Sequence, residues 1–233
     1  MNRRWFTILS ALAAFGFVTL CGVGCKPTEK TPSPAPTPPS APTNAISTNT
    51  VVSEVAVLKF KDYGDIVVEF LPEVAPKTVA NFKKLANEKF YDGTLSHRLI
   101  PGFMIQLGDP LTKDPAQEAR WGSGDPGYKL AAEFNSTRHA RGVLSMARNG
   151  DPNERFGQMP QPQFADSAGS QFFICFAAAA HLDGKYTAFA KVLKGGDVLD
   201  KLEKIPVGGP QGSKPQTPVT LETVRIVARD TLK

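Results

Sequence analysis

His97-Arg98-Leu99-Ile100-Pro101-Gly102-Phe103-Met104-Ile105-Gln106-Leu107-Gly108-Asp109 is the run of residues on which the fold turns. Its apolar residues come in short stretches, broken by Pro101-Gly102 and ended by Gly108, of strand rather than helix length. Working outward, the same pattern recurs at Gly142 to Ala147, Gln171 to Phe176, Thr187 to Val192 and Val219 to Val227. Upstream, Val55 to Phe60 and Ile66 to Phe70 are β-branched and aromatic runs on either side of Asp62-Tyr63-Gly64-Asp65, which predicts a hairpin. Two segments differ. Pro76 opens one in which Val79, Phe82, Lys83 and Ala86 fall at helical spacing, and proline is favoured in a helix's first turn; Asp197 to Leu202 is the other. Many short strands, two helices and no alternation of strand with helix predict a mainly β fold, an antiparallel barrel or sandwich.

The 233 residues have room for one substantial domain and its accessories. The formal charge of +5 includes Arg3 and Arg4, in a segment expected to be removed, and the balance is too mild to argue for nucleic acid. Of the three cysteines, Cys21 and Cys25 are N-terminal, which leaves Cys175 alone in the folded part with no disulfide framework.

Residues 1–25 read as an export signal, with Arg3 and Arg4 as its basic start and Trp5 to Val23 as an uncharged apolar stretch. Gly22-Val23-Gly24-Cys25 resembles the lipobox of bacterial lipoproteins, in which a small residue precedes a cysteine that is diacylated and becomes the new N-terminus. Gly24 fits that position. Gly22 stands where leucine is usual, and the competing Cys21 is preceded by the bulky Leu20. Cys25 is therefore the expected lipidation site; the alternatives are ordinary cleavage nearby or an uncleaved spanning helix. Asn2-Arg3-Arg4-Trp5-Phe6 also has the look of a twin-arginine export motif. Residues 26–53 are Pro, Thr, Ser and Ala with almost no large apolar side chain, and seven prolines lie between Pro27 and Pro42. Such a composition cannot bury enough surface to offset its ordering entropy, so it reads as a tether. The folded domain is expected over 54–233.

Three blocks in order carry a resemblance to a known family. They are the opening stretch His97 to Asp109, then Gly142-Val143-Leu144-Ser145-Met146-Ala147, then Ser170-Gln171-Phe172-Phe173-Ile174 followed by Leu182-Asp183-Gly184-Lys185. Together they resemble the cyclophilins, peptidyl-prolyl cis/trans isomerases, from about Glu54 to Ala228. The resemblance implies a closed eight-stranded antiparallel β-barrel capped by two α-helices. It makes Arg98 the catalytic arginine with Gln106 beside it, and Phe103, Met104, Phe173 and Leu182 the walls of a proline pocket. Gln106 and Gln171 become its polar rim, and the backbone of Ala147, Arg148 and Asn149 a track for the substrate. His181 stands where many members have tryptophan, which implies weak cyclosporin binding, and Tyr186 replaces a family histidine at the pocket. No cofactor or metal is implied. The partners are proline-containing segments of exported proteins and, through lipid, a membrane, at the periplasmic or extracellular face of a bacterial envelope.

Other features have plainer readings. Gly122-Ser123-Gly124-Asp125-Pro126-Gly127 matches a dinucleotide-binding fingerprint letter for letter, but no strand and helix flank it and Pro126 breaks the helix start, so it reads as a loop. His97, His139 and His181 lack the spacing of metal ligands. Cys175, among Phe172, Phe173, Ile174 and Phe176, reads as a small buried hydrophobe. Two long loops, 110–127 and 149–167, are insertions or partner sites. The rival to catalysis is a binding module that holds proline-containing segments without turning them over.

Overall fold

A computed structural model describes residues 53–155 and 157–232. The expected signal segment, Cys25 and all but the last residue of the expected tether lie outside them. The predicted hairpin forms from β1 (Glu54–Phe60) and β2 (Gly64–Phe70). The opening stretch folds back on itself as β4 (Arg98–Ile100) and β5 (Met104–Leu107), just after a two-residue β3 (Thr94–Leu95). The other apolar runs become β6 (Val143–Met146), β7 (Phe172–Cys175), β8 (Ala188–Lys194) and β11 (Thr220–Ala228); a small hairpin, β9 (Val207–Gly208) with β10 (Lys214–Pro215), precedes the last.

The helices are α1 (Pro76–Asn87), a four-residue α2 (Pro162–Ala165) and α3 (Gly196–Glu203). α1 has proline in its first turn and no capping side chain of its own. The Glu133 carboxylate instead accepts from the N–H groups of Lys77 and Thr78 at 3.0 and 2.8 Å, meeting two donors a helix start leaves unpaired. Its buried face carries Val79, Phe82, Leu85 and Ala86. Phe82 packs against Tyr91, Phe172 and Phe189 with centroids 5.0 to 5.4 Å apart. Each such pair contributes about 0.5–1.5 kcal/mol beyond the area it buries.

The main sheet is antiparallel throughout, in the order β3-β11-β1-β2-β8-β6-β7-β5-β4. This differs from the expected closed barrel of eight strands with two helices. Among the described residues the sheet is a curled half-barrel of nine strands with β3 and β4 at its edges, and there are three α-helices. The ladder is interrupted at Ser96-His97, where Ser96 N–H turns to Val219 and Leu99 N–H to Ser213 in the loop before β10.

Side-chain alternation along the strands divides the sheet into two faces. Leu99, Ile105, Leu107, Leu144, Met146, Phe172 and Ile174 face the main core. Met104, Phe173 and Cys175 face the other way and form a second buried cluster with Ala179 and Leu182. On that outer face the register pairs Arg98 with Gln106, Gln106 with Phe173, and Phe173 with Ser145. Directly opposed residues share a face, so these four form one rung across four strands.

Candidate active site

The rung opens into a cavity of about 80 Å³ lined by Arg98, Phe103, Met104, Gln106, Ala147, Arg148, Phe173, Leu182 and Tyr186. Beside it lies a larger polar cleft of about 270 Å³ that shares Gln106, Ala147 and Arg148 and adds Asn149, Gln171, Ser167 and the 122–125 loop. All the expected pocket residues except His181 therefore meet in two adjoining hollows. The His181 side chain is exposed and its ring leans on Phe103 from outside, 5.3 Å between centroids.

A relay of amides orients the arginine. Arg98 Nη1 donates to Gln106 Oε1 at 3.4 Å, Gln106 Nε2 to Gln171 Oε1 at 2.9 Å, and Gln171 Nε2 to the carbonyls of Gly122 and Gly124 at 3.0 and 2.8 Å. The glycine loop is held in turn by Asp109. Its buried carboxylate accepts from the backbone N–H groups of Leu111, Gly122 and Gly124. The fingerprint-like glycines thus wrap a carboxylate of the protein itself. A Cβ at Gly124 would collide with Asp109 Oδ1. His97, one residue before Arg98, is pushed down to a pKa of about 4 by burial; Asp109 opposes that shift and Arg98 adds to it. It is neutral at physiological pH, and its Nδ1 is buried without a partner among the described residues.

The part of the lining formed by Arg148 and Tyr186 is fixed by charge. Arg148 has a side chain only 2% exposed, and it donates to the carbonyls of Lys185 and Asn149 and to Glu154 Oε2 at 2.7 Å. Its guanidinium lies 4.3 Å from the centre of the Tyr186 ring, and Lys185 also reaches Glu154. Burial works against the Glu154 carboxylate, but hydrogen bonds from Arg148 and Lys185 hold its pKa below the ordinary value. The Arg148 head is thus a clamp joining β6, the 183–186 segment and the 149–167 loop, while the Asn149 N–H is taken by Ser167 Oγ. Glu154 went unnoticed in the sequence because an acid in a long loop carries no periodic signal. Cys175 is fully buried and its thiol is pushed up to about 12, mainly by that burial, as suits a packing residue.

A pocket walled by two phenylalanines, a methionine and a leucine, with a guanidinium in a hydrogen-bond relay on one side, has the chemistry to hold a compact apolar ring beside a cationic donor. A proline ring in a polypeptide is such a group, and the class so defined is the peptidyl-prolyl isomerases. Comparison with known proteins agrees: the family model "Cyclophilin type peptidyl-prolyl cis-trans isomerase/CLD" matches residues 55–226, and the chain belongs to that family. A protein of Brucella abortus (strain 2308) named "Probable peptidyl-prolyl cis-trans isomerase" is 39% identical over 201 residues, covering 84% of this chain and 86% of its own. "Peptidyl-prolyl cis-trans isomerase-like 3" of Gallus gallus is 43% identical over 155 residues, covering 66% and 84%. The crystal structure of a Cryptosporidium parvum cyclophilin type isomerase, solved in the presence of the dipeptide Ala-Pro, matches with a TM-score of 0.61 at 27% identity, over 75% of this chain and 99% of that one.

Proposed function

We propose that this isomerase turns Xaa-Pro bonds without a covalent intermediate, with the prolyl ring held by Phe103, Met104, Phe173 and Leu182 and the prolyl nitrogen met by Arg98. Rotation of a free Xaa-Pro bond takes about tens to hundreds of seconds, over a barrier near 18–20 kcal/mol. The twisted transition state has lost amide resonance. Its nitrogen gains a lone pair and its carbonyl becomes less dipolar, so a donor at the nitrogen favours that state over the ground state. Arginine is always charged and its fork of donors is rigid. Turnover in milliseconds needs about 10⁴-fold acceleration, or roughly 5.5 kcal/mol. One charged hydrogen bond contributes about 1.5–3 kcal/mol, so ring orientation and exclusion of water by the apolar walls supply the remainder.

The observation that carries this reading is the single rung placing Arg98, Gln106 and Phe173 side by side over one cavity. Its test is turnover of a Xaa-Pro peptide by the full chain and by Arg98→Ala. A wild-type chain that binds the peptide but never turns it over would instead be a proline-segment binding module.

The polar cleft through Ala147, Arg148, Asn149 and Gln171 takes the residues flanking the proline. His181 offers an inhibitor less surface than an indole would, and sits outside the cavity, so cyclosporin binds weakly; a dissociation constant below about 100 nM, tighter than roughly −9.5 kcal/mol, would refute this. The clients are exported polypeptides met at the bacterial envelope, with the chain lipid-anchored through Cys25. We read β3 and β4, which the short Ser96-His97 break separates, as two parts of one strand; counted so, the nine strands become eight and the sheet's two ends meet, which supports closure into a barrel.

A further inference from the structure

Behind the Phe173 wall runs a polar chain, buried at Ser145 and His139 and partly exposed at Asp183, that the proposed reaction does not use. The side chain of His139 is fully buried. Its backbone N–H and its ring Nδ1 both reach Asp183 Oδ1, at 2.7 and 2.9 Å, and its Nε2 lies 3.0 Å from Ser145 Oγ. Asp183 follows Leu182 in the segment that also carries Tyr186. Ser145 is the rung partner of Phe173. The imidazole itself lies nearly parallel to the Phe173 ring at 6.2 Å and edge-on to Tyr186 at 6.5 Å. One ring therefore touches two pocket walls and bonds the segments that carry them.

We propose that His139 is a positioning residue for the isomerisation: a strut from Asp183 to Ser145 that holds Phe173 and the Leu182–Tyr186 segment at a fixed spacing. The inference rests on the pocket reading above. The chain of bonds works in one protonation state only. An ionised carboxylate accepts and cannot donate, so Nδ1 carries the hydrogen and Nε2 is left to accept from the Ser145 hydroxyl. Among the described residues that hydroxyl has no other hydrogen-bond partner. A second proton, on Nε2, would point at Ser145 Oγ and leave the hydroxyl hydrogen with no acceptor in a buried place.

The groups facing the imidazole are Asp183, Ser145 on β6, Phe173 on β7, Tyr186, and His181 on the turn before Asp183, with Arg138 acting on Asp183 from the preceding residue. Burial holds the His139 pKa below its ordinary value, with Asp183 opposing and His181 adding to the shift. Burial also works against the Asp183 carboxylate, but the two bonds from His139 keep it below its ordinary pKa. At neutral pH the strut is intact. It fails when acid titrates His139.

The test has a spectroscopic arm and a kinetic arm. Nitrogen-15 NMR of the full chain should show His139 protonated at Nδ1 and bare at Nε2 near neutral pH. A ring protonated at Nε2 alone would overturn the proposal, and this reading stands whether or not the protein turns over a peptide. In the kinetic arm, His139→Ala should lower kcat on a Xaa-Pro peptide about tenfold or more while the peptide dissociation constant moves less than about threefold, because the apolar walls remain but lose their spacing. Wild-type kcat should fall with acid in step with the NMR titration of His139, and that limb should vanish in the variant. Ser145→Ala keeps the histidine and its carboxylate, and should lose kcat in the same sense even if His139→Ala folds poorly. Wild-type kcat in Ser145→Ala, or a pH profile indifferent to the His139 titration, would overturn it. Absence of turnover in the wild type with the expected tautomer in place would defeat the catalytic reading of the pocket and leave the strut standing.

Discussion

Arg98 is the residue on which catalysis and mere binding part company. It is exposed, it lies on a short strand, and Gln106 touches it from the next strand at 3.4 Å, so its loss removes no core contact and should leave the fold intact. The guanidinium is proposed to act on the pyramidal nitrogen of the twisted bond, while the ring is gripped by other side chains. Arg98→Ala should therefore lower kcat and kcat/KM together, by about 10- to 150-fold for a bond of roughly 1.5–3 kcal/mol, with peptide affinity largely kept. Phe103→Ala removes gripping surface in both states and should weaken affinity as well as rate. The check is kcat/KM beside a peptide dissociation constant, with thermal unfolding as the control; a well-folded Arg98→Ala of near wild-type activity would refute the role. At this scale the pocket walls were legible because their residues sit in contiguous blocks. The Arg148 head was not, since its partners Glu154 and Lys185 come from two separate loops.

Among the elements, the 110–127 loop turned out to be part of the site's scaffold. Two short 3-10 turns, Pro110–Lys113 and Pro115–Arg120, lead into the glycines that close over Asp109 and then accept from Gln171. Sequence alone left this stretch as an insertion or a partner site, because a carboxylate cradle made of backbone N–H groups has no side-chain signature. Strands of four or more residues were readable from their apolar runs; β3, β9 and β10 were not, since two residues carry no periodicity. The loop's role makes a sharp demand on Gly124. A methyl there meets Asp109 Oδ1 and lies 2.9 Å from Leu111 Cγ, with no room to yield without opening the cradle. Gly124→Ala should cost about 1–3 kcal/mol, as overpacking does. That lowers Tm by roughly 2–4 °C for each kcal/mol in a domain of this size. It should also reduce kcat/KM, because Gln171, Gln106 and finally Arg98 lose their fixed end. Calorimetry with the peptide assay checks both, and an unchanged Tm would show that the loop is slack.

For the whole molecule, the sequence reads as three parts with three kinds of physics, and only the last is described by the structure. The mainly β class followed from short runs and turns; the half-barrel's edges did not, because the break at Ser96-His97 is made by backbone bonds to Val219 and to Ser213 from a distant part of the chain. The N-terminal parts carry a prediction of their own. A chain extended as polyproline II rises about 3.1 Å per residue, so residues 26–53 would reach roughly 80 Å, enough to let the domain work clear of a lipid surface. Such a tether is useful only if its start is firmly held. A single acyl chain binds membranes marginally, whereas each buried CH₂ adds about 0.8 kcal/mol, so the two chains of a diacylated cysteine hold stably. Cys25 combines the small preceding Gly24 with the first residue of that tether, and serine in its place offers no thiol to acylate. Cys25→Ser should therefore move the protein from the membrane fraction to the soluble extracytoplasmic fraction, with peptide turnover per molecule unchanged because every described residue that lines the pocket lies between Arg98 and Tyr186. Fractionation with blotting reads the result. Retention of the variant on membranes at unchanged migration would refute the lipid anchor and point to Trp5–Val23 as an uncleaved spanning helix.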